Sequence, residues 1–408
     1  MSSSHESAGR IDADWRRRAA AVIPGGASTG SKRPDALFGP ESDFGPTHFT
    51  SASGCRLITA GGVELIDCTM ALGAVALGYA DDGVTHAVAA AAARGNVAGL
   101  SHVLEVQVAE RLCGVIPCAE QVRFLKSGAE GVAAAVRIAR THTGRTLVLG
   151  AGYFGWLDWW SDAPGVPPGA HADFRAIPFD DISALEEAVS HAGDRLAAIV
   201  IEPVVERLPS AEWLLAARRL CDTRGAVLIF DEMKTGFRVR RGGYQELSGI
   251  TPDLAVFGKA IANGYPLSAI VGRARVMQAA RTTWISSTLA GETVALAAAN
   301  AVLDRHEQMD VCGELWRIGD AIRDAVARAI QRSGLPGVSV DGIAPMWFLR
   351  FEDEALRPRF LELALEHGVL FKRGAYNFAS LAHDARAIAQ IEHAAAQALV
   401  RVGEASHA

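Results

Sequence analysis

From about Val103 onward, apolar residues recur at helical spacing and alternate with short unbroken apolar runs. Leu104, Val108, Leu112 and Val115 share one helix face. The runs at 146–149, Leu196–Ile201, 226–230 and Leu254–Phe257 are each followed by polar or glycine-rich residues, and read as strands buried on both faces. Helix and strand in alternation predict an α/β fold with a mainly parallel central sheet covered by helices. Ahead of it, 55–67 reads as strand, Gly-Gly turn and strand, a hairpin, while 24–46 is dense in Gly, Pro and Ser and reads as irregular after a short amphipathic start. The last third differs again. A helix over 354–367 is stopped by Gly368, and a second over 384–402 carries Ile388, Ile391 and Leu399 in register, which predicts a small α+β domain.

In open α/β sheets ligands bind beyond the carboxyl ends of the strands, so the residues after each run are where chemistry is expected. Asp231 stands at the end of one run and Lys259 just after another. A buried carboxylate needs a cation, and a protonated pyridine nitrogen is one; alternatively Asp231 caps a helix or pairs with Arg238. Lys259 is either a reactive amine in the same crevice or an ordinary exposed lysine on a loop. The string KSGAE at 126–130 lies between an apolar run and a helix bearing Val132, Val136 and Ala139 on one face. It suits a phosphate, with Gly128 letting the backbone approach and Ser127 adding a hydroxyl, and it equally suits a capping box between Ser127 and Glu130. Gly150 to Gly155 fits GxGxxG, but the residues after it, with three prolines before Ala170, cannot continue as the helix that a dinucleotide site requires.

Composition narrows the chemistry. A chain of 408 residues can hold two domains, and 21% charged residues describe a compact globular protein. The net charge of −6, with acids and bases interspersed, argues against nucleic acid as a partner. No apolar stretch has the length of a signal sequence or membrane span, and six scattered cysteines without CxxC pairs or nearby histidines read as reduced thiols, with no metal site, in a cytoplasmic protein. Of 40 Lys and Arg residues only Lys32, Lys126, Lys234, Lys259 and Lys372 are lysines. A Schiff base needs an amine that can lose its proton, which guanidinium cannot do, so the candidates are few.

With these residues in view, the chain resembles the class III aminotransferases, and especially the branch containing glutamate-1-semialdehyde aminomutase. The likeness runs nearly end to end: IPGG at 23–26, FLKSGAE at 124–130, IEPV at 201–204, LIFDE at 228–232, TGFR at 235–238, TPDL at 251–254, GK at 258–259 and SLAH at 380–383. It implies the fold type I architecture of pyridoxal-phosphate (PLP) enzymes. An N-terminal segment 1–60 would pack with the small domain, a large PLP-binding domain would span 61–296, and a small C-terminal domain 297–408. Lys259 would hold the cofactor as a Schiff base and Asp231 would pair with its ring nitrogen. Ser127, Gly128 and Ala129 would hold its phosphate, with Tyr153 on one face of the ring, Met233 on the other, and Glu202 positioning the cofactor or nearby loops. Thr288 would reach the phosphate of a neighbouring subunit, implying a homodimer with shared active sites. The implied reaction is ping-pong transamination between small-molecule amine and carbonyl substrates, with Lys259 as base and acid in turn.

Several positions depart from that family. Its Tyr-His-Gly is here Tyr153-Phe154-Gly155, and the Asn expected after Glu-Pro-Val is missing, with Glu206 and Arg207 the candidates to take its place. Ala375 stands where the semialdehyde aminomutases have a pocket glutamate, and Glu292-Thr293 replaces a common Asn-Pro. The departures surround the substrate rather than Asp231 or Lys259, which predicts retained chemistry on a different amine. Trp156, Trp159 and Trp160 either line such a pocket or pack in the core, and Lys372 and Arg373 are candidates for a substrate carboxylate. An aminomutase or amino-acid epimerase on the same scaffold is the alternative, and a non-catalytic PLP-binding protein is the reading from another class.

Overall fold

The computed structural model describes residues 2–40, 42 and 44–406. They form two compact units, one made of the residues up to Asp81 together with those from Gly313 onward, the other of Asp82–Cys312.

The second unit is built on seven strands: β1 (Gln121–Leu125), β2 (Leu147–Ala151), β3 (Phe174–Ala176), β4 (Leu196–Ile201), β5 (Val227–Asp231), β6 (Leu254–Phe257) and β7 (Ser268–Gly272). Their order is β1-β7-β6-β5-β4-β2-β3. β7 runs antiparallel to both its neighbours and the other pairs are parallel. Because β7 reverses twice, β1 points the same way as β6, so the carboxyl ends of β1, β2, β4, β5 and β6 share one edge of the sheet. The apolar runs are what makes this possible: every residue of β2, β4, β5 and β6 is buried.

The longer helices that accompany the sheet are α1 (Asp82–Ala92), α2 (Val103–Val115), α3 (Gly128–Thr143), α4 (Ile182–Ala192), α5 (Ala211–Arg224) and α6 (Thr293–Gln308). α3 buries Val132, Val136, Ile138 and Ala139 against the strands. It lies so close that a Cβ on Gly131 would stand 2.6 Å from Val256 Cγ1.

The first unit holds the hairpin read from the sequence, Arg56–Thr59 paired antiparallel with Glu64–Asp67. It also holds a three-stranded sheet of Val338–Ile343, Met346–Phe351 and Asn377–Phe378, and the helices Arg357–Glu366 and Ala385–Ser406. The units divide later than the boundaries at 60/61 and 296/297 read from the sequence. Glu64–Asp67 is also paired with Val369–Leu370, which draws 61–81 into the first unit, and α6 is one continuous helix packed on α1, which draws 297–308 into the second. All six cysteines are free thiols. Among the described residues no helix is long and apolar enough to cross a membrane.

Candidate active site

Asp231 is the last residue of β5 and is 4% exposed. Its Oδ1 accepts a bond from Met233 N at 3.0 Å. Burial pushes its carboxyl up to about 7, helped by the neighbouring charge of Glu202, while Lys259, the Met233 amide and Lys234 pull it down. Lys259 lies two residues beyond the end of β6, on the strand next to β5. Its φ of 50° puts a non-glycine residue in the left-handed region, a conformation that persists only where the surroundings impose it. Burial holds its amine below the ordinary lysine range and Asp231 opposes that shift, as Glu202 does more weakly, while Lys234 and Arg238 add to it. Asp231 and Lys259, which the sequence suggests could face one crevice, lie close enough to bear on each other's ionisation, and Lys259 is not an exposed loop lysine.

The first turn of α3 completes one side. Ser127 and Glu130 form the capping box: Ser127 Oγ accepts from Glu130 N at 3.3 Å, and Glu130 Oε2 accepts from Ser127 N at 2.8 Å. The Gly128 and Ala129 amides belong to the first turn of α3 and lie ahead of any helical i−4 partner. Met233 links this turn to the lysine loop. A Cβ on Gly128 would fall 2.7 Å from Met233 Cε, and one on Gly258 would fall 2.3 Å from the same atom.

The loop after β2 closes on the other side. Glu202, directly after β4 and 7% exposed, accepts from Tyr153 N at 3.1 Å and forms an ion pair with Lys234. A Cβ on Gly155 would stand 2.4 Å from Ala129 Cβ, and one on Gly152 the same distance from Glu202 Cβ. These glycines thus pack against the site's own backbone and side chains, and no α-helix starts between Gly150 and Pro167, as the rejected dinucleotide motif would need. Asp231, Met233, Lys259, Glu202, Gly128, Ala129 and the Tyr153 backbone are brought together at one sheet edge. The Tyr153 ring is 66% exposed and meets Trp160 edge-on at 5.5 Å. Thr288 is exposed on the segment before α6, and no hydrogen bond or ion pair ties it to the others.

The departures from the family pattern divide by environment. Phe154 is 1% exposed and packs with Trp159, Trp160 and Phe174, so it anchors the loop from the core side. Trp159 and Trp160 belong to that packing, whereas Trp156 is exposed. Arg207 is engaged by Asp180 and lies over Phe179. Lys372 and Arg373 belong to the first unit. Two ion pairs were not legible as such: Lys234 with Glu202, and Lys126 with Glu292. The signal was the rarity of lysine, since Lys126 and Lys234 are two of only five.

Residues 39–153 and 168–384 match the family model for class III aminotransferases. The chain is 36% identical over 341 residues to a glutamate-1-semialdehyde 2,1-aminomutase of Rhodopirellula baltica, covering 78% of this chain and 76% of that protein. It is 34% identical over 366 residues to the 2'-deamino-2'-hydroxyneamine transaminase of Streptomyces kanamyceticus, covering 88% and 91%. Among solved structures, the FumI protein of Sphingopyxis sp. MTA144 in a PLP form superposes with a TM-score of 0.93 at 28% identity over 98% of both chains. On these grounds, and with Asp231 and Lys259 at adjacent strand ends, the chain belongs to the class III aminotransferases.

Proposed function

We propose that the sheet-edge site of the second unit is where this class III aminotransferase holds PLP and transfers an amino group from an amine or amino-acid donor to a carbonyl acceptor. The observation that carries the assignment of residues is the buried Asp231 carboxylate beside the desolvated Lys259 amine, at the ends of adjacent parallel strands. The residues fit the cofactor. A carboxylate pushed up by burial wants a cation, which a pyridinium nitrogen supplies, and the α3 terminus offers amides to a phosphate.

Bound there, PLP supplies the electron sink that makes a substrate Cα proton acidic. Asp231 keeps the ring nitrogen protonated. Lys259 Nζ takes the Cα proton and returns it, and burial, by disfavouring its charged form, favours the neutral amine that this role needs. Ser127, Gly128 and Ala129 would hold the phosphate, Met233 and Tyr153 would pack against the ring, and Glu202 positions the Tyr153 loop through the bond from Tyr153 N. The reading includes a cytoplasmic homodimer in which Thr288 serves the neighbouring subunit. It is supported by the free thiols and by apolar side chains left open on the second unit: Leu100 86%, Val103 65%, Val106 60%, Trp284 84% and Leu289 50% exposed.

Relatives named as aminomutases favour a second reading, an aminomutase or epimerase, while Ala375 in place of the pocket glutamate weighs against the semialdehyde reaction. The test is the absorption spectrum of the holoenzyme with a panel of amine donors, with and without a 2-oxo acid. Donor-driven bleaching of the cofactor band, restored by the 2-oxo acid, supports transamination. Turnover with no acceptor requirement supports the second reading, and a band that no amine changes would mean binding without catalysis.

A further inference from the structure

Glu202 and Lys234 make a second ion pair beside Asp231 and Lys259, with side chains only 9% and 18% exposed. Lys234 follows Asp231 by three residues, and Glu202 directly follows β4, the strand on the far side of β5 from β6 and Lys259. Resting on the cofactor reading above, we propose that Lys234 is a positioning residue for the transamination: by neutralising and fixing Glu202, it leaves the Asp231 carboxylate to pair with the cofactor's ring nitrogen.

Two carboxylates at one sheet edge disfavour each other's ionisation unless cations intervene. The groups acting on Asp231 are Glu202, Lys259 and Lys234, together with the Met233 amide; those acting on Lys259 are Asp231, Lys234, Glu202 and Arg238. Of the two lysines beside Asp231, Lys259 has to give up its proton to work as a base, so its charge cannot serve Asp231 through a whole turnover. Lys234 takes no part in proton transfer, and its charge is committed to Glu202. Geometry fixes that carboxylate. Its Oε2 accepts from Tyr153 N at 3.1 Å, Lys234 is bonded at Oε1, and the Gly152 backbone leaves no room behind its Cβ. Lys234 thereby joins the ends of β2, β4 and β5 in one electrostatic frame.

The experiment is a pH titration of the visible band of the bound cofactor, with PLP affinity measured alongside, in holoenzyme carrying Lys234→Met, Lys234→Arg, Glu202→Gln and the double variant Glu202→Gln/Lys234→Met. Loss of the Lys234 charge raises the band's midpoint by about one pH unit, loss of the Glu202 charge lowers it, and the double variant returns toward wild type. Lys234→Arg keeps the charge and stays near wild type. If Lys234→Met does not fold, the comparison of Lys234→Arg, Glu202→Gln and the double variant still reads the effect. A wild-type midpoint in Lys234→Met, or the same midpoint in Glu202→Gln and the double variant, makes Lys234 merely structural and overturns the inference. Wild-type protein that takes up no PLP overturns the cofactor reading as well, a result distinct from normal PLP binding with unmoved midpoints.

Discussion

Lys126 Nζ and Glu292 Oε1 stand 2.8 Å apart, with their side chains only 16% and 8% exposed. Glu292 also caps α6, accepting from Val294 N at 2.8 Å and Ala295 N at 3.0 Å, and Thr293 N donates to Asn96 O at 3.0 Å. The pair joins the residue before Ser127 to the segment that carries Thr288, and the Thr293 bond is one that a proline could not make. Here the Glu292-Thr293 departure from Asn-Pro gains a physical meaning. Glu292→Ala strips both the cap and the partner of a mostly buried lysine, a loss on the order of 2–4 kcal/mol. The thermal midpoint falls accordingly; an unchanged midpoint contradicts the role given to the pair.

Asp231→Asn keeps the shape of the side chain and removes its charge. Turnover is expected to fall about 100- to 1000-fold while PLP is still bound, because the lost interaction is electrostatic stabilisation in a buried site. Steady-state kinetics of the PLP-saturated variant decide it, and near-wild-type turnover would show that the ring nitrogen is served by another group.

Much of this arrangement was legible in the sequence, for an identifiable reason. Strands buried on both faces are unbroken apolar runs, so the first charged residues after them, Asp231 and Glu202, mark the strand ends directly. Lys259 was legible for the same reason, two residues past β6. Contacts made by strand order were not. Glu202 and Lys234 meet because β4 and β5 are neighbours, and no local spacing announces it. Likewise Glu64–Asp67 pairs with Val369–Leu370 across some three hundred residues, which moves the unit boundary. The alanine-rich sequence of α6 has too little apolar contrast to reveal which face is buried.

Gly155 and Gly165 both have positive φ, 87° and 93°, but only Gly155 faces a neighbour, with a Cβ there 2.4 Å from Ala129 Cβ and nothing within 4 Å at Gly165. Alanine at either position incurs left-handed strain of about 1–2 kcal/mol. Gly155→Ala alone displaces the first turn of α3, so its Kd for PLP rises about tenfold or more, whereas Gly165→Ala binds like wild type. Equal Kd values would separate Gly155 from the phosphate cradle.

Glu232 is fully buried, accepts from Tyr244 N at 2.8 Å and Gln245 N at 3.0 Å, and is bonded by the Thr235 hydroxyl. Burial pushes its carboxyl up from an ordinary 4.5 to about 7. With the folded value above the unfolded one, the stability tied to this group is fully present below 4.5 and is lost as pH rises through about 7. Between those values the thermal midpoint of wild type declines relative to that of Glu232→Gln. Parallel profiles would contradict the assignment.

The central claim is that Lys259, among five lysines, carries the cofactor. Borohydride reduction of the PLP-loaded protein followed by peptide mapping tests it most directly. The account predicts the reduced label on Lys259, with no label in Lys259→Ala although that variant still binds PLP. Label on Lys234 or Lys126, or substantial turnover by Lys259→Ala, would contradict it.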